Sequence, residues 1–151
     1  MDAENTHQVF DWLTSSGQPS AEDFYAMQRE GYGTVINLAL PTSSIVLKGE
    51  AELVTGMHMN YFQIPVEWEL PELAQFLFFA DLLTQLHKNG QKVWLHCVMN
   101  NRVSVFLYLY RKYVLKEAET EARHPMDEVW TPIPLWQEFM DEVSKYYQKG
   151  S

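Results

Sequence analysis

Val93-Trp94-Leu95-His96-Cys97-Val98-Met99-Asn100-Asn101-Arg102-Val103-Ser104 is the stretch on which the reading of this chain turns. Apolar residues run into a His-Cys pair, and a long helical pattern opens after Arg102. The spacing predicts a buried strand over 92–97, a short loop, and a helix over 102–116. A helix start presents unpaired backbone N–H groups and the positive end of the helix dipole, so such a loop suits an anion. Cys97 is the only cysteine in the chain, and it ends the strand with Arg102 close behind. A helix N-terminus and a guanidinium are surroundings that favour a thiolate over a thiol. A nucleophilic sulfur in a nest of N–H groups, beside one arginine, is equipment for accepting a phosphoryl group.

Around that stretch, strands alternate with helices. Thr34 to Ala39 is β-branched and apolar, a buried strand, and residues 57–66 form the next, stopped by Pro65. Gln8 to Leu13 suits a short edge strand or a turn packed on the core. Ser20 reads as an N-cap with Glu22 and Asp23 in the first turn, for a helix that runs to about Glu30 and stops at Gly31. Phe24, Met27 and Ala21 face inward. Residues 44–56 are ambiguous, with a helix over 49–55. Pro71 fits the first turn of a helix in which Leu73, Phe76, Leu77, Ala80, Leu83 and Leu86 keep helical spacing. The helix after Arg102 is apolar nearly all round, which predicts a central, buried position. Residues 117–124 are charged and helical, Pro125 interrupts, and an amphipathic helix covers about 135–148. The fold class is therefore α/β: one domain over 1–151, with 1–7 a loose terminus, and a mostly parallel sheet of four to five strands flanked by helices. Ligands of such sheets sit at the carboxyl ends of strands, where Cys97 lies.

Composition narrows the function. The chain has 151 residues, 46% of them hydrophobic, enough for a real core. A net charge of −9 argues against nucleic acid or an anionic membrane as partner and leaves any attraction for an anion local to the loop. A single cysteine rules out an internal disulfide. No apolar run reaches membrane-spanning length, and Met1 to His7 is not a signal peptide. A cytoplasmic location is the default expectation, periplasmic if an export signal has been removed. His58 and His87 lack partners at metal-ligand spacing, and no metal or organic cofactor is expected.

The His-Cys…Arg loop resembles the phosphate-binding loop of cysteine-dependent tyrosine and dual-specificity phosphatases. More closely, the chain resembles the small bacterial protein-tyrosine-phosphatase-like family. Three further marks carry that likeness: Ser16-Gly17-Gln18-Pro19-Ser20, the Val35-to-Leu38 strand (Val-Ile-Asn-Leu), and the Ile64-to-Val66 strand end (Ile-Pro-Val). The resemblance implies that Cys97 attacks phosphorus to form a thiophosphate. Backbone N–H groups of Val98, Met99, Asn100, Asn101, Arg102 and Val103, with the Arg102 side chain, would bind the phosphoryl oxygens. It implies a phosphorylated small molecule or phosphoprotein as substrate, and inorganic phosphate or sulfate as a ligand of the loop.

The chain departs from the family pattern in two places. Four residues, not five, separate Cys97 from Arg102, so Val103 holds the usual arginine position while Ser104 falls where a Ser or Thr is usual. Moving the arginine one place turns its direction by about 100° if the position is helical. Asn100 and Asn101 replace the usual glycines, and Asn tolerates positive φ. His96 is expected to order the loop by hydrogen bonds. Ser104 is either a donor to the Cys97 sulfur or an ordinary first-turn serine. In the segment that normally bears the general-acid Asp, Trp68 holds that place between Glu67 and Glu69. Either glutamate is a candidate acid, or both are solvated loop residues. Trp68 either lines the pocket mouth or simply packs. Two alternatives stand beside the phosphatase: a weak or inactive phosphate-binding pseudophosphatase, and a persulfide carrier on Cys97.

Overall fold

The computed structural model describes residues 1–43 and 45–150. Five strands, β1 (His7–Phe10), β2 (Leu13–Ser16), β3 (Thr34–Asn37), β4 (Asn60–Gln63) and β5 (Val93–His96), form one sheet in the order β1-β2-β5-β3-β4. Only β1 runs antiparallel; β2, β5, β3 and β4 are parallel, with β5 in the centre. The helices are α1 (Ala21–Arg29), α2 (Glu50–Gly56), α3 (Leu73–Lys88), α4 (Asn101–Leu109), α5 (Glu119–Ala122), α6 (Met126–Val129) and α7 (Pro134–Lys149). A π-helical turn over Tyr110–Val114 extends α4.

The two-residue period of the strands sorts the core. Val35 and Trp94, partners in register, join Phe24, Met27, Val54 and Met57 on the α1/α2 face. Their neighbours Ile36 and Leu95 face Phe76, Phe79 and Phe106 of α3 and α4. Every residue of α4 from Val103 to Leu109 is buried, as the all-round apolar pattern predicts. Each of the Val, Leu and Phe side chains among them contributes about 1.5–3 kcal/mol relative to exposure, so α4 is pinned along its length. Its first turn, and the loop before it, are fixed with it.

Several boundaries differ from the sequence reading. The strand expected over 57–66 is confined to β4, because residues 57–59 instead wrap the end of α2: Met57 and Met59 both donate to the Val54 carbonyl, and His58 takes a positive φ of 65°. Pro71 precedes α3, whose N-cap is Glu72. Ser20 caps α1 as expected, in a reciprocal box with Asp23. The ambiguous segment contains α2, but Ser44 lies outside the described residues.

Candidate active site

Cys97 leaves the end of β5 still held to the sheet, its N–H donating to Ser16 O at 3.4 Å, while Gln18 N donates to Val98 O at 2.9 Å. The chain then turns through Asn100, a left-handed residue (φ 73°, ψ 0°) at the N-cap of α4. Its buried amide explains how an asparagine holds that conformation: Nδ2 donates to Asn5 O at 2.7 Å and Ser15 Oγ at 3.1 Å. The consequence is chemical. The backbone N–H groups of Val98 through Val103 donate to no group among the described residues. They crowd the start of a nine-residue helix, beside a cavity of about 400 Å³ lined by Ser43, Trp68, Cys97, Val98, Met99, Asn101 and Arg102. Cys97 is almost wholly buried at its base.

Arg102 reaches this cavity despite its shifted position. Nη1 donates to the carbonyls of Val66 at 3.2 Å and Leu38 at 3.5 Å, just beyond β4 and β3. No carboxylate pairs with it among the described residues, so its charge and remaining N–H donors are uncommitted. The guanidinium carbon lies 6.0 Å from the Trp68 ring centre. Trp68 is itself set by Trp130 and Trp136, with centroids 5.3 and 5.7 Å away, and Trp136 Nε1 donates to Trp68 O at 2.9 Å. It both packs and lines the cavity.

Behind the loop, His96 is completely buried. One ring nitrogen, Nδ1, lies 3.1 Å from Cys97 O and the other, Nε2, 2.6 Å from Glu50 Oε2. Glu50 also accepts from Gln18 Nε2 at 2.7 Å, Tyr61 OH at 2.9 Å and Asn37 Nδ2 at 3.4 Å. Burial pushes the Glu50 carboxyl upward, but its donors, His96 foremost, outweigh burial and leave it below the usual carboxylate range. The expectation that His96 orders the loop agrees with these contacts. Glu50 had no sequence signal of its own, since nothing local marks a glutamate at a helix start as the partner of a histidine 46 residues away.

One expectation needs correction, and at two places the contacts favour one of the two alternatives left open. Residues 1–7 are not loose: Glu4 O accepts from Gly17 N at 2.7 Å, and Asn5 Nδ2 donates to Met99 O at 2.9 Å, so this segment braces the loop from outside. Ser104 does not serve the sulfur, because its hydroxyl donates to Asn101 O at 2.7 Å and accepts from Trp130 Nε1 at 3.0 Å. Neither Glu67 nor Glu69 lines the Cys97 cavity. The tight turn from Glu67 to Leu70 sends Trp68 inward and leaves both glutamates exposed, with Glu69 on a separate cleft beside Leu135 and Glu138. Ser43, which the sequence reading did not single out, stands at the cavity instead.

No protein-family model matches the chain, and no curated protein sequence does. Solved structures do match. A protein of Shewanella putrefaciens CN-32, described as "Putative phosphatase (DUF442)", is 31% identical, with 97% of this chain and 95% of that one aligned at a TM-score of 0.83. PTPMT1 aligns over 95% of this chain and 96% of its own at 16% identity and a TM-score of 0.79. TpbA of P. aeruginosa aligns over 97% of this chain and 84% of its own at 20% identity and a TM-score of 0.68. No helix among the described residues is long and apolar enough to cross a membrane. With the His-Cys loop at the carboxyl end of the central strand and these alignments spanning nearly its whole length, the chain belongs to the bacterial protein-tyrosine-phosphatase-like (DUF442) family and has the fold of the cysteine-dependent phosphatases.

Proposed function

We propose that the protein is a cysteine-dependent phosphomonoesterase acting on phosphoesters with good, aryl-type leaving groups. The observation that carries this reading is the run of N–H groups from Val98 to Val103 unclaimed among the described residues, of which Val98, Met99, Asn101 and Arg102 line one cavity with Cys97. Donors fixed in place before the reaction stabilise charge that develops on equatorial phosphoryl oxygens, without reorganisation. Cys97 Sγ attacks phosphorus, the P–O bond to the leaving group breaks with its electrons, and a thiophosphate results; water then attacks phosphorus and returns the sulfur as thiolate. The Arg102 fork faces the same oxygens from the β3/β4 side.

Substrate preference follows from the cavity wall. Trp68 offers an aromatic face, and no carboxylate among the lining residues stands ready to protonate a leaving oxygen. An aryloxide leaves without that help, whereas an alkoxide does not. In the same fold, PTPMT1 has been solved with PI(5)P and TpbA with pTyr, both phosphomonoesters.

The missing carboxylate also favours a second reading, in which the loop binds phosphate without useful turnover. Hydrolysis of p-nitrophenyl phosphate and of glycerol phosphate, wild type beside Cys97→Ser, separates the two. Cys97-dependent turnover of the aryl ester, with little of the alkyl ester, supports the esterase. Equal rates in both proteins, with phosphate binding retained, leave the binding module.

A further inference from the structure

We infer that Glu50 is a positioning residue for Cys97, acting through His96. The inference rests on Cys97 being a reactive thiolate, and therefore on the functional reading above, but not on any particular substrate.

The geometry is a relay with two fixed ends. His96 Nδ1 meets the Cys97 carbonyl and Nε2 meets the Glu50 carboxylate, so each ring nitrogen faces an acceptor. Both contacts are complete only when both nitrogens carry protons. The ring then stands as a cation immediately behind the nucleophile's own peptide group. The Cys97 carbonyl lies 3.1 Å from the imidazole Nδ1, and the amides that follow it donate to no group among the described residues. Glu50 makes this arrangement possible. A buried cation without a counter-charge is costly, whereas a carboxylate with Gln18, Tyr61 and Asn37 as further donors satisfies it.

The other groups facing the pair do not supply that charge. Phe24 packs its ring 6.1 Å from His96 on the α1 side. Tyr61, on β4, has its hydroxyl held in the neutral form by burial above all and by the nearby Glu50 charge, which together outweigh the opposing hydrogen bond from Asn37. Gln18 and Asn37 are neutral, and Arg102 points instead to Val66 and Leu38. The positive end of the pair is therefore the ring nearest Cys97, and its orientation is set by Glu50.

The test reads the thiol directly. Cys97 is the chain's only cysteine, so the pH profile of alkylation by iodoacetamide reports on it alone. Glu50→Gln keeps the shape and removes the charge. Its alkylation midpoint is expected to move to higher pH, making alkylation below the midpoint roughly tenfold slower, the equivalent of about one pH unit. In a His96→Asn background, Glu50→Gln should add no further shift, because the effect passes through the ring. A midpoint that stays in place or falls in Glu50→Gln overturns the inference, whatever happens to its melting temperature.

A second measurement needs no variant. Long-range 1H–15N spectra of the wild-type protein at neutral pH should show His96, the fully buried histidine, with protons on both ring nitrogens. A single neutral tautomer overturns the inference. A profile in which Cys97 alkylates like an ordinary thiol in wild type and variants alike removes instead the functional reading on which it rests.

Discussion

The guanidinium of Arg102 donates to the carbonyl oxygen of Val66 at 3.2 Å, across the cavity floor from the helix that carries it. This contact shows how an arginine one place early in the loop still reaches the Cys97 cavity. The side chain leaves the first turn of α4 and is caught by the chain just past β4, so the direction lost at the Cα is recovered at the end of the side chain.

Arg102→Lys keeps the charge but loses the planar fork. The expected result is a phosphate Kd raised tenfold or more, corresponding to about 1.5–3 kcal/mol of charge-assisted hydrogen bonding, with a small change in stability. Isothermal titration with phosphate and urea unfolding on the same variant check the two halves.

Gly17 is set by close approach. A Cβ there would lie 2.6 Å from Val98 O and 3.2 Å from Glu4 O, both backbone atoms with nowhere to yield. Gly17→Ala is expected to cost about 1–3 kcal/mol of stability, as overpacking does, and to weaken phosphate binding because the displaced Val98 backbone belongs to the loop itself. Urea denaturation and the same titration measure both.

Asn100 combines a left-handed backbone with two hydrogen bonds to neighbouring segments. Asn100→Gly keeps the backbone freedom and loses the bonds, whereas Asn100→Ala loses both. The expected order of stability is wild type, then Gly, then Ala, with the Ala variant down by about 2–4 kcal/mol from strain and lost bonds together. Chemical unfolding of the three proteins tests the order.

Glu50 makes stability depend on pH. Burial opposes its ionisation, but the donors win, so its folded value lies below the unfolded one. The stabilisation is then fully present above the usual carboxylate value and is lost as pH falls through the folded value. Urea unfolding from pH 7 downward should show the wild type losing stability on the acid side, with Glu50→Gln less stable at neutral pH but flatter across that range. Parallel curves for the two proteins contradict this.

Much of this architecture is legible in local pattern. The apolar circumference of α4, the β-branched run of β3 and the capping pair Ser20 and Asp23 each encode their own structure within a few residues. The strand β2 is different. Thr14, Ser15 and Ser16 are buried hydroxyl residues without the apolar pattern of a buried strand, and they belong in the sheet because distant groups satisfy them: Tyr32 OH on Thr14, Asn100 Nδ2 on Ser15 and Trp94 Nε1 on Ser16. The site divides the same way. Cys97, Arg102 and the loop amides are contiguous in sequence and were readable there. Glu50, Asn5 and Ser43 reach the loop or its cavity from far along the chain, and no local spacing reveals them. Glu67 and Glu69 show the opposite failure, being close in sequence to the expected position but turned outward by the packing of Trp68 among Trp130 and Trp136.

The measurement that bears most directly on the central claim is acid quench of the protein mixed with excess p-nitrophenyl phosphate, followed by peptide mass analysis. With no carboxylate among the described residues that line the cavity, breakdown of the intermediate should be slow relative to its formation. The expected result is a burst of p-nitrophenol matching the protein concentration and one phosphoryl group on the peptide containing Cys97, both absent in Cys97→Ser. No adduct on that peptide, with phenol released equally by the two proteins, would contradict Cys97 as the nucleophile.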